Sequence, residues 1–173
     1  MRAISTYTDP KMQDSVVQTL NALLVSSVEY RFGIVHLGYD EEGNTYPSVY
    51  HNDGSFKNEM LFPDNKVKSF GFWEFDEGEV LNDNDGDTYN LSFVFWGNLN
   101  RIDASKLYDH TSEIQQTILN IFIGQGARDI TWTQDDVFAN YSKYLEQEKQ
   151  TLMRPNTGFK ISFTIDGTGE VCI

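Results

Sequence analysis

The spacing of apolar residues changes period several times along the chain, and each change marks an element. Val16, Val17, Leu20, Leu23 and Leu24 recur at helical spacing, which predicts an amphipathic helix over about residues 10–25. Asp9 and Pro10 open it, because the carboxylate can cap free amides and proline at the first helical position gives up no needed donor. From residue 28 the pattern shortens. VEYRFGIVHLGY is rich in β-branched and aromatic residues and stops at the acidic turn Asp40-Glu41-Glu42-Gly43-Asn44. TYPSVYH reads as a short strand, with Pro47 favouring an edge or irregular position. Asn52-Asp53-Gly54 is a tight-hairpin signal. KNEMLFPDN supports neither period, and VKSFGFWEF reads as a strand followed by the loop DEGEVLNDNDGDT.

In YNLSFVFWGNL, Tyr89, Leu91, Phe93 and Phe95 face one way, and Asn90, Ser92 and Val94 face the other. One face is expected to be core and the other partly wet. A second long helix is predicted from a cap at Asp103 to about Ile123, with Leu107, Ile114, Ile118, Ile121 and Phe122 inward and Gly124 ending it. Thr133-Gln134-Asp135-Asp136 resembles a capping box with Asp in place of Glu. It predicts a third helix burying Val137, Phe138, Tyr141, Tyr144 and Leu145. TGFKISFTID alternates cleanly and is the plainest strand of the chain. Helix, strands and hairpins, two helices, then a strand describe an α+β fold: a mainly antiparallel, twisted sheet with helices packed on one face. The 173 residues carry no repeat, low-complexity tract or linker, so a single domain over 1–173 is expected.

Charge narrows the partners. Twenty-six acidic against 13 basic residues give −13, which repels phosphate backbones and anionic lipid. A solvated acidic surface or the wall of a channel suits this balance, whereas groove binding to nucleic acid does not. The single cysteine, Cys172, supports neither a disulfide framework nor a thiolate metal cluster. The N-terminal MRAISTYTDPKMQDS lacks the apolar core of a secretion signal, and no run reaches the length of a membrane span. A cytosolic protein with no membrane association is expected.

Candidate chemistry is sparse. Asn82-Asp83-Asn84-Asp85-Gly86-Asp87 looks like the start of a calcium loop. With Gly86 at the sixth position, however, Leu81 is first and Ser92 twelfth; with Asp83, Asp85 and Asp87 as ligands, Thr88 stands where glycine belongs and Val94 is twelfth. Neither frame serves an EF-hand. The leading reading is an acidic turn, and a calcium site of another kind built from Asp83, Asp85 and Asp87 is the competing one. His36, His51 and His110 have no second ligand at a recognised spacing. Gly124-Gln125-Gly126 follows a helix and lacks the Lys-Ser or Lys-Thr of a phosphate loop, so it reads as a C-cap. No nucleophile motif is present, and the chain is expected to be non-enzymatic, without a cofactor. Trp73 and Trp96 lie in strands, where core packing leads. Together with Trp132 and the tyrosines, a sugar-binding platform competes. Carboxylates paired in space as acid and base form a third alternative.

An N-terminal helix, antiparallel strands with a long excursion and the strand YNLSFVFWGNL come in order along the chain. The amphipathic stretch KLYDHTSEIQQTILNIF follows, and GFKISFTID lies near the C-terminus. In this order of elements the chain resembles the tail-terminator and tail-completion proteins, or head–tail connectors, of long-tailed bacteriophages. The resemblance implies a structural virion protein of a phage or prophage, assembled in the bacterial host cytoplasm. It implies a self-associated ring, usually of six, that contacts tail-tube and head-connector proteins and lets DNA pass without specific binding. The thirteen residues from Asp76 to Thr88 hold six acids and no base, namely Asp76, Glu77, Glu79, Asp83, Asp85 and Asp87. They are the candidate assembly loop or channel rim.

Overall fold

The computed structural model describes residues 12–50, 56–57, 67–75, 81–83, 86–142 and 154–167. The chain runs α1 (Met12–Leu23), a 3-10 turn (Leu24–Ser26), β1 (Tyr30–Tyr39), β2 (Thr45–Tyr50), β3 (Phe56–Lys57), β4 (Ser69–Phe75), β5 (Leu81–Asp83), β6 (Gly86–Asn98), α2 (Leu99–Ile102), α3 (Thr111–Gly124), β7 (Arg128–Thr133) and β8 (Asn156–Asp166). The strands form one sheet in the order β3-β2-β1-β4-β6-β8-β7, with β5 also paired to β6. Every pairing is antiparallel except β1 with β4, so the α+β class with a mainly antiparallel sheet holds.

The long strands β6 and β8 run opposite each other from Thr88↔Asp166 to Asn98↔Asn156 and form the spine. On one face Tyr89, Leu91, Phe93 and Phe95 of β6 meet Phe159, Ile161, Phe163 and Ile165 of β8. Both principal helices cover that face: α1 brings Val17 and Leu20, and α3 brings Ile118 and Phe122. Trp73 lies at the centre, its ring centroid 4.8 Å from Phe93 and 5.5 Å from Phe122. Asn21 of α1 accepts the Trp73 indole N–H at 2.8 Å and donates to the Phe32 carbonyl at 3.0 Å. A polar residue on the apolar face of a helix thus fixes how α1 sits on the sheet.

The opposite face is drier than the alternation in β6 suggested. Phe70, Phe72, Val94 and Trp96 are buried there under Val137, Phe138 and Tyr141, which form a second apolar cluster. The expected third helix begins differently. Residues 137–140 are turns, with Ala139 N–H on the Asp136 carbonyl and Tyr141 N–H on the Phe138 carbonyl. Tyr144 and Leu145 lie outside the described residues. Thr45 of β2 ties the far end of this segment by exchanging hydrogen bonds with Ser142 and the Asn140 carbonyl.

Three boundaries depart from the sequence expectation. Asp103 does not cap the long helix; its Oδ1 accepts from Ser105 N–H and Oγ in a local turn. The helix starts eight residues later at Thr111, and Leu107, expected on its apolar face, lies in the preceding loop, 88% exposed. Leu23 is also exposed, because α1 tightens into a 3-10 turn that carries Leu24 inward instead. β5 and β7 are strands that the pattern of the sequence did not mark. Asp9, Pro10 and the Asn52-Asp53-Gly54 hairpin signal lie outside the described residues, although β2 and β3 pair antiparallel on either side of that signal. Pro47 sits in β2 opposite Leu37, and among the described residues β3 does not reach it.

α3 ends in a Schellman turn: Ala127 N–H bonds the Phe122 carbonyl and Gly126 N–H the Ile123 carbonyl, with Gly126 at φ 85°. A Cβ there meets no neighbour, so the penalty for alanine is conformational alone. Gly126→Ala is expected to lower stability by about 1 kcal/mol, read as a urea-midpoint shift at constant m-value.

Candidate functional site

Part of the acidic segment is paired strand and forms a hairpin arm. β5 and the start of β6 pair as Leu81↔Thr88, Asn82↔Asp87 and Asp83↔Gly86. β8 stops opposite Thr88 and β4 stops opposite Leu91, so among the described residues the arm extends the sheet beyond its neighbours at one end. Asp83 and Asp87 occupy successive rungs of this ladder. Asp76, Glu77, Glu79 and Asp85 lie outside the described residues. Among the described residues no group of three His, Cys, Asp or Glu could hold a metal ion, and no helix is long and apolar enough to cross a membrane.

A polar stripe runs from the foot of the arm along the face opposite the helices. The register generates it, because residues opposite one another share a face. Thr88 meets Asp166, with Oγ1 donating to Oδ1 at 3.0 Å; Asn90 meets Thr164; Ser92 meets Ser162, their hydroxyls 2.7 Å apart. Ser92 also stands opposite Glu74 of β4, and Ser162 opposite Thr131 of β7, so Glu74, Ser92, Ser162 and Thr131 form one row across four strands. Lys160 lies in the next row, opposite Val94. Its Nζ reaches Glu74 Oε2 at 2.5 Å, and Asn140 Nδ2 donates to the same oxygen at 3.3 Å. Glu74 is 8% exposed and its Oε1 has no hydrogen-bond partner. An ion pair therefore sits where the polar stripe meets the dry patch, and it ties the 137–142 segment to the sheet.

A second polar group surrounds the start of α3. His110 precedes the helix, 2% exposed, with Nδ1 3.2 Å from the Tyr108 carbonyl and Nε2 without a partner. Asp109 Oδ1 accepts from the Thr111 N–H at 2.9 Å and hydroxyl at 2.6 Å, and the Thr111 hydroxyl lies 2.8 Å from that of Thr157 on β8. Glu113 takes the Lys106 ammonium and, at 2.8 Å, the Tyr108 hydroxyl. These bonds hold the carboxyls of Asp109 and Glu113 below their ordinary pKa, chiefly through Thr111 and Lys106 respectively, and Ser105 does the same for Asp103. The Glu113 contact raises both Lys106 and Tyr108.

Carboxyls depressed in the folded state contribute stability above their unfolded pKa and lose it as pH falls through the folded one. Acidification below the ordinary carboxylate range is therefore expected to loosen this junction. Thr111→Val should lower the melting temperature at and above neutrality and make the acid limb shallower than in the parent, so that the two profiles converge at low pH. An unchanged acid limb would show that Asp109 does not contribute.

The remaining sequence candidates are dispersed. His36 is in β1, and His51 and Cys172 lie outside the described residues. Trp73 and Trp96 are fully buried core residues, whereas Trp132 on β7 is 56% exposed. Gly124-Gln125-Gly126 is the helix end described above. Arg31 on β1 is buried, with Nη1 on the Val28 carbonyl at 2.6 Å and Nε unpartnered, and burial pushes its pKa down. Sequence reasoning missed the Glu74–Lys160 pair. Its only signal was a charge at one inward position of SFGFWEF and a lysine within GFKISFTID, and pairing across the sheet is not visible along a chain. Comparison with family models, curated proteins and solved structures yields no match.

Proposed function

We propose that this chain is a non-enzymatic structural subunit of a phage or prophage virion, assembled in the bacterial host cytoplasm. It forms a ring at the head–tail junction and contacts tail-tube and head-connector proteins. The observation that carries this reading is the β5–β6 arm, an acid-rich hairpin that extends one end of the sheet beyond β4 and β8 and continues into a half-exposed polar stripe. Such an arm offers backbone and carboxylates to a neighbouring subunit, or presents a repelling rim to passing DNA. The element order of the sequence supports the same class.

Replacing Asp76, Glu77, Glu79, Asp83, Asp85 and Asp87 with Asn and Gln is expected to leave the melting transition intact and alter ring assembly or tail-tube binding. Unchanged assembly, scored by light scattering and negative-stain images, would reduce the arm to a solvated hairpin. The exposed Trp132 favours a second reading, a carbohydrate-binding module without enzymatic activity. Quenching of Trp132 fluorescence by soluble polysaccharide, lost in Trp132→Ala, supports that reading. No quenching disposes of it.

A further inference from the structure

We propose that the free edge of β7 is a self-association surface, on which β7 of a second copy of this chain lies antiparallel about a two-fold axis at Thr131. Strand β7 ends the sheet, and among the described residues no strand pairs its outer edge. Natural edges are usually blunted by charge, proline or bulges, since an open row of N–H and C=O groups is a template for another strand. Here those devices stop half-way. Arg128 is held in an ion pair with Asp166, Asp129 has φ 50°, and the register against β8 shifts between Arg128 and Thr131. From Ile130 to Thr133 there is no charge or proline, and from Thr131 the register is regular, in a chain whose net charge is −13. Trp132 is 56% exposed, and Ile123, in the last turn of α3 just before the strand, is 53% exposed.

The strand's own sequence favours a second copy as occupant. A two-fold axis perpendicular to a sheet places residues of like face opposite one another. With Thr131 on the axis, Ile130 of one copy meets Trp132 of the other, twice, on the helical side where Trp132 and Ile161 share a rung. Aromatic against β-branched and threonine against threonine are favourable cross-strand pairs, and no like charges meet. With Trp132 on the axis instead, Ile130 would meet Gln134, and one of the two apolar matches would be lost. The pairing is isologous and closes on two copies, so it stands independently of the ring, which needs heterologous contacts.

The test uses the full chain with Cys172→Ser as background. Thr131→Cys is expected to form an intermolecular disulfide with itself under mild oxidation, because directly opposed residues lie within bridging distance. Thr133→Cys is expected not to, since its two copies would stand roughly 13 Å apart. Sedimentation of the cysteine-free background should show a dimer that tightens as NaCl is raised, because two acidic copies repel. Trp132→Lys should weaken it about tenfold or more without lowering the melting temperature. A chain that stays monomeric at every concentration and salt overturns the proposal. So does an oligomer in which Thr131→Cys fails to bridge, or in which Thr133→Cys bridges equally well.

Discussion

Trp73→Ala is expected to leave little or no folded protein. The Trp73 side chain is fully buried where α1, α3 and three strands converge, in ring contact with Phe93, Phe122 and Phe163. Truncating a buried tryptophan costs about 3–5 kcal/mol through lost transfer energy and the cavity left behind. Asn21 adds to this, because its Oδ1 loses the indole N–H inside the core, an orphaning worth about 1–3 kcal/mol. The sum rivals the whole stability of an ordinary domain, about 5–15 kcal/mol. Trp73→Phe isolates the second part: it keeps a ring in place and leaves Asn21 unpaired. Urea unfolding followed by near-ultraviolet circular dichroism should show no native baseline for Trp73→Ala and a smaller, measurable loss for Trp73→Phe. A midpoint for Trp73→Ala close to that of the parent would mean that the two helices do not meet the sheet around this residue.

The Glu74–Lys160 pair carries the other large effect. Lys160→Met removes the ammonium and leaves a carboxylate that is 8% exposed with only Asn140 for company. Breaking a buried pair from one side typically costs about 3–5 kcal/mol, because the remaining charge is stranded. Removing both charges at similar volume should cost far less, so Glu74→Met combined with Lys160→Met is expected to be more stable than Lys160→Met alone. The double-mutant cycle measures the coupling directly. Glu74→Met alone removes the oxygen to which Asn140 fastens the 137–142 segment, so it should also loosen that segment and expose Phe72, which Tyr141 covers. Hydrogen exchange that is faster at 137–142 than in β8 would report this. If both single variants and the double variant prove equally stable, the pair is a surface contact of no consequence.

Much of the fold was legible in the sequence, and what was not has identifiable physical causes. The strands of the spine announced themselves because β6 and β8 bury every second residue against two helices, and strict alternation is the mark of that environment. α1 and the second half of α3 were legible for the corresponding helical reason. The start of α3 was not, since Asp103 is a good capping residue that here serves a turn closed by Ser105, and Leu107 matched the helical period by accident. β5 and β7 escaped because each is short and is defined by its partner: only the register with β6 makes Leu81–Asp83 a strand, and only β8 makes Arg128–Thr133 one. The site was less legible than the fold. NDNDGD reads as a turn leading into a strand; Asn82 and Asp83 pair with Asp87 and Gly86, and residues 84–85 lie outside the described residues. The polar stripe, by contrast, arises from residues on β4, β6, β7 and β8 that only register brings into rows.

Electron microscopy of the full chain mixed with purified phage tail tubes tests the assembly role most directly. Rings with a central channel, seated on the ends of the tubes and disturbed when the six acids of the 76–87 segment are neutralised, are the expected result. Bare tube ends, with no particle in solution larger than a β7-paired dimer, would contradict it.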